Sequence, residues 1–108
     1  MVEERYIDGK IWEDLEFRKL DKFEKIVFLY LLTNQYAEGP RYKISDKDII
    51  FEIGYNRKIL AEALAGLITS GFISCEPQEY ITIHKWFVTQ EMWNEQQKFL
   101  AEENGEEE

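Results

Sequence analysis

Leu60, Leu64 and Leu67 recur at the four- and three-residue intervals of one helix face, Gly71 follows where that helix must stop, and Ile73 opens an extended run. No other stretch constrains the chain as tightly, because a helix, its end and a strand start are fixed together. Upstream, Ser45 stands as an N-cap with Asp48 at the third helical position. Ile49, Ile50 and Ile53 face inward, and Gly54 ends this helix. Tyr55-Asn56 forms the turn, with Asn56 capping a second helix from Arg57 to about Ser70. Downstream, Phe72 to Cys75 and Tyr80 to His84 read as two strands joined by Glu76-Pro77-Gln78-Glu79, with Ile81 and Ile83 alternating against Thr82 and His84. Helix, glycine-containing turn, helix and hairpin in that order make a winged helix-turn-helix. The predicted class is mainly α with a small β-hairpin (α+β), a winged helix-turn-helix with an additional C-terminal helix.

The flanking segments complete this plan. Residues 5–20 place aromatic and aliphatic side chains in an irregular or short-helical arm packed on the core. Asp21 is a helix N-cap with Glu24 three residues on, and Phe23, Ile26, Val27, Tyr30 and Leu31 form the apolar stripe of a buried central helix that runs through Thr33. Asn34 to Pro40 is a loop, and Tyr42 to Ile44 a short strand. A last amphipathic helix is expected from Gln90 to Glu103. The chain thus divides into a winged-helix domain with its arm (1–90) and a C-terminal helix with an acidic tail (91–108). Met92, Trp93, Phe99 and Leu100 lie on one side of that helix and need a surface to bury them, either their own domain or a second copy, and a homodimer is the expectation.

Several classes of function are excluded on composition and motif. Cys75 is the only cysteine and His84 the only histidine, so neither an internal disulfide nor a four-ligand zinc site can form. There is no nucleophile paired with a base, no glycine-rich phosphate loop and no metal cluster, so no catalytic residue, metal or cofactor is expected. Cys75 itself reads as a buried or half-buried thiol. No apolar run approaches the roughly 20 residues that cross a bilayer, and the start lacks a signal-peptide pattern. A cytoplasmic protein without a membrane partner is the expectation.

The formal net charge is −9, which opposes binding to a phosphate backbone. Its distribution softens the objection. Residues 91–108 hold one basic and seven acidic side chains, whereas residues 41–90 hold six of each. In the helix after the turn, Arg57, Lys58, Ala61, Glu62 and Ala65 lie opposite the leucine stripe, on the face a major groove would meet. Asn56 joins Arg57 and Lys58 at its start as a DNA-contacting candidate. Arg41, Lys43, Lys47 and Lys85 complete a phosphate-contacting rim, which positions a duplex without reading it. Tyr55 is expected to staple the two helices, and Tyr80, Trp86 and Phe87 to close the core beneath the hairpin.

Across roughly residues 5–88 the chain resembles the winged-helix N-terminal domain of phage replisome organisers and DnaD-like replication initiation proteins. The likeness rests on IWEDLEFRKL, on EKIVFLYLLTN in the central helix, on YKIS, on EIG, on LAEALAGLITSGFI and on ITIHKW. It implies binding of double-stranded DNA near replication origins, self-association and recruitment of helicase-loading or other replication proteins, without enzymatic activity. Two alternatives stay open at this point. One is a protein-interaction or dimerisation module on the same scaffold, suggested by the acidic hairpin loop, Glu62 and the acidic tail. The other is a transcriptional regulator.

Overall fold

The computed structural model describes residues 6–88. The chain begins with a 3-10 turn, Gly9–Glu13, capped by Asp8, and continues into a short helix α1 (Leu15–Lys19) capped by Asp14. The central helix α2 (Lys22–Thr33) starts in a complete capping box: the Asp21 carboxylate accepts from Glu24 N–H, and Glu24 accepts from Asp21 N–H. Both exposed donors at the helix start are satisfied by one short motif. There follow β1 (Arg41–Lys43), α3 (Asp46–Ile53), α4 (Arg57–Thr69), β2 (Ile73–Glu76) and β3 (Tyr80–Ile83). The result is an α-rich winged-helix fold with one small antiparallel sheet.

The core lies between α2, α4 and the sheet. Val27, Phe28, Leu31 and Leu32 from α2 meet Leu60, Ala63, Leu64 and Leu67 from α4, and Phe72, Ile73, Ile81 and Ile83 close the space from the sheet side. Each large side chain so buried contributes on the order of 2 kcal/mol relative to exposure. Aromatic edges order the centre: Phe28 meets Phe72 at 4.9 Å and Phe87 at 6.3 Å between ring centroids, both T-shaped. The nearly all-round apolarity of α2 does not mean all-round burial, since Ile26 remains 45% exposed. At the end of α2, Asn34 is the buried polar residue among the described residues. Its Nδ2 donates to the Tyr30 carbonyl and to the Tyr42 hydroxyl, and Tyr42 donates in turn to the Leu31 carbonyl, so that carbonyl of the last turn finds a partner.

The arm packs on this core as expected, through Ile11, Phe17 and Leu20. It is also tied to the chain's later part by a bridge between Ile7 and Val88 and a hydrogen bond from Asp8 N–H to the Phe87 carbonyl. The expected hairpin is one part of a three-stranded sheet in the order β1-β3-β2, because the short strand before α3 pairs with β3, Arg41 facing Thr82 and Lys43 facing Tyr80. The expected strand bounds move by about one residue for identifiable reasons. Gly71 (φ 79°) ends α4 in a left-handed step, its N–H donating to the Ile68 carbonyl while Phe72 N–H reaches Leu67, and this two-bond motif commits Phe72 to the helix end rather than to β2. Glu76, expected in the loop, stays in the ladder opposite Tyr80.

Gly66 has a packing role. A Cβ there would stand 1.6 Å from Glu24 Oε2, so the carboxylate that closes the α2 capping box lies directly over the backbone of α4.

Candidate nucleic-acid interface

Two local features aim α4. Gly54 (φ 89°) turns the chain out of α3, its N–H bonded to the Ile50 carbonyl, and Asn56 Oδ1 accepts from Ile59 N–H to start the next helix. Tyr55 between them meets Phe23 of α2 edge-on at 5.2 Å, so the turn is pinned to the central helix, where a staple between the two flanking helices was expected. With Leu60, Ala63, Leu64 and Leu67 buried, Arg57, Lys58, Ala61, Glu62 and Ala65 all face solvent. Asn56 spends its carbonyl oxygen on the cap, which leaves its Nδ2 as the donor available to a ligand.

A cleft of about 640 Å³ separates α4 from the hairpin. Lys47 and Arg57 line it, together with Asp46, Glu76, Glu79 and Tyr80. Arg57 Nη1 lies 4.0 Å from Asp46 Oδ2 across the starts of α4 and α3, with both side chains more than half exposed. Arg41, on the outer face of the sheet, places its guanidinium 4.2 Å over the Tyr80 ring and its Nε 3.2 Å from Glu76 Oε1. Glu76 also accepts from the Thr82 hydroxyl, and this bond, with the Arg41 pair behind it, holds its carboxyl below the ordinary glutamate range. Lys43 shares the outer face of the sheet, in register with Tyr80. The structure thus brings Lys47 and Arg57 to one cleft and Arg41 and Lys43 to one sheet face. Tyr80 sits at the tip end of the hairpin and belongs to this surface, whereas Trp86 and Phe87 pack against the core as expected of all three.

Lys85 is placed elsewhere. Its ammonium lies 3.4 Å from both Asp14 oxygens and 4.6 Å from the centroid of the Phe72 ring, with the side chain about 28% exposed. That pair joins the chain after the hairpin to the α1 cap. Asp14 is held below the usual aspartate range first by the Phe17 N–H it accepts, and then by Lys85. Cys75 is a correction: the expected buried or half-buried thiol is an exposed residue on the cleft rim, since its position near the hairpin tip lies beyond the cover of α4. Partial burial of the sulfur against the cleft wall, followed by the Asp46 carboxylate, pushes the thiol above its ordinary range, which works against thiolate chemistry. His84 Nε2 meets Ser74 Oγ at 2.5 Å on the outer sheet face.

Sequence reasoning missed Asp46 and Glu76 as partners of the two arginines. An acidic residue in the first turn of a helix reads as a complement to the helix dipole, and nothing local signals that Glu76 meets Arg41 across an intervening strand. Met92, Trp93, Phe99 and Leu100 lie outside the described residues. Among the described residues, no group of three or more His, Cys, Asp and Glu side chains is placed to hold a metal ion, and no helix is long and apolar enough to cross a membrane.

No family model matches the chain, and no curated protein sequence matches it. Among solved structures it is similar to a protein described in a Rep–DNA complex, with a TM-score of 0.55 and 17% identity over 94% of this chain and 87% of that one. That likeness, across nearly all of both chains, shows the fold.

Proposed function

We propose that the protein binds double-stranded DNA without catalysing a reaction and acts in the initiation of DNA replication in a phage or bacterium. In this reading α4 enters the major groove while Arg41, Lys43 and Lys47 grip the flanking backbone. The observation that carries it is the exposed α4 face, with Arg57 and Lys58 at its start and the small Ala61 and Ala65 permitting close approach, beside a hairpin that borders the same cleft. The fold shared with a Rep protein in complex with DNA supports a DNA ligand, and the resemblance to replisome organisers supports the replication setting, a cytoplasmic location and helicase-loading partners. About four phosphate contacts give a salt slope near −3.6, so a single copy binds weakly. A homodimer formed through Met92, Trp93, Phe99 and Leu100 doubles the basic surface and strengthens binding through avidity. Fluorescence anisotropy on random duplex at low salt tests the reading. Binding that Arg57→Ala and Lys58→Ala together weaken supports it, and no binding at micromolar protein overturns it.

The carboxylates Glu76 and Glu79 at the hairpin favour a second reading, a protein-interaction module that keeps the scaffold. It predicts partner capture with no salt-sensitive affinity for DNA.

A further inference from the structure

We propose that Asp46 and Glu76 are affinity-limiting residues of the DNA interface: each holds an arginine of the cleft and sheet face in an intramolecular ion pair that a phosphate must displace. The inference rests on the DNA-binding reading above and adds to it the residues that set how tightly the duplex is held.

The observations fall on two surfaces, the cleft between α4 and the hairpin and the outer face of the sheet. Arg57 and Arg41 are the guanidinium groups of residues 41–90, and each already has a carboxylate partner, Asp46 at 4.0 Å and Glu76 at 3.2 Å. The two pairs differ in firmness. Asp46–Arg57 is long and open to water, so it yields easily to a competing anion. Glu76 is anchored a second time by the Thr82 hydroxyl while Arg41 stacks on Tyr80, so this pair keeps its place when a phosphate approaches. Both carboxylates also line the cleft, as does Glu79, so a backbone strand entering between helix and hairpin meets anionic walls as well as an Arg57 that is already paired. Lys47 lies in the cleft, Lys43 on the sheet and Lys58 on α4, each without an ion pair among the described residues; the present affinity falls to these lysines.

Removing the two negative charges frees both arginines and lessens repulsion at the same sites. For exposed groups screened by water, one such change within contact distance of a phosphate is worth a few-fold in affinity, and the two together on the order of tenfold. Each arginine transferred to a phosphate also steepens the salt slope by about 0.9.

The test compares the full-length chain with Asp46→Asn, Glu76→Gln and their double variant, by anisotropy on a random duplex across a salt series. A control double variant, Glu13→Gln with Glu38→Gln, removes the same formal charge at positions that do not line the cleft. Thermal melting of every variant checks folding, and Asp46→Asn, at an exposed position in an exposed pair, tests the idea where loss of fold is least expected. The expected result is a Kd about tenfold lower and a steeper salt slope for the double cleft variant, with a clearly smaller gain for the control. Wild-type binding that the cleft variants leave unchanged or weaken, or that the control strengthens equally, overturns this inference and leaves the DNA reading standing. No binding by the wild type or any variant overturns both.

Discussion

Asn34 and Tyr42 are joined across the core by a 2.8 Å hydrogen bond, the Asn34 Nδ2 donating to the Tyr42 hydroxyl. Because Tyr42 passes its own proton to the Leu31 carbonyl at 2.7 Å, the pair seals the C-terminal turn of α2 and ties β1 to it. Tyr42→Phe removes one partner from the buried Asn34 amide and one from the Leu31 carbonyl and should cost about 1 kcal/mol. Asn34→Ala removes the hub and should cost about 2 kcal/mol. Urea denaturation of both variants measures these losses, and additive losses in the double mutant would contradict a shared network.

Stability should fall in acid partly through Asp14. Its folded value lies below the ordinary one, because the ionised form accepts from Phe17 N–H and pairs with Lys85. Its contribution is therefore full above the unfolded carboxylate value of about 3.9 and is lost as pH falls through the lower folded value. Asp14→Asn retains the capping oxygen and loses the charge. The gap in unfolding free energy between wild type and this variant should be open at roughly pH 6 and should narrow toward about pH 2.

Lys58 and Lys85 should separate interface from scaffold. Lys58→Ala is expected to reduce the magnitude of the DNA salt slope by about 0.9 with little change in melting temperature. Lys85→Met should lower the melting temperature through the lost Asp14 pair and leave the slope unchanged. Parallel anisotropy and thermal melts distinguish the two patterns.

The hairpin tip carries backbone strain. Gln78 (φ 63°) and Glu79 (φ 65°) are consecutive left-handed residues without the freedom of glycine. Gln78→Gly should stabilise the domain by about 1 kcal/mol, measured by the midpoint of chemical denaturation. An unchanged or lower midpoint would show that the tip relaxes in solution.

Much of this fold is legible in the sequence because the decisive signals are local. Asp21 with Glu24, Ser45 with Asp48, and Asn56 before Arg57 each satisfy backbone donors within a single turn, and all three caps form as the spacing requires. Leu60, Leu64 and Leu67 turn inward for the same reason, which leaves Arg57, Lys58 and Ala61 outside. What depends on sheet order is hidden. The Arg41–Glu76 pair spans 35 positions and exists because β3 lies between β1 and β2. Lys85 reads as one more surface cation until Asp14, 71 positions away, is found beside it. A site composed of charges from separate strands and helix starts has no periodic trace, so its candidate members can be picked out while their pairing cannot.

One carboxylate, that of Glu24, belongs to two helices at once, completing the start of α2 and resting on the bare backbone of α4 at Gly66. The seating of α4 on α2 thereby depends on a residue pair that is not among the candidate DNA contacts. A methyl at position 66 is admitted when the flexible Glu24 side chain swings aside, and that movement opens the capping box of α2, so a change made in one helix is felt at the start of the other.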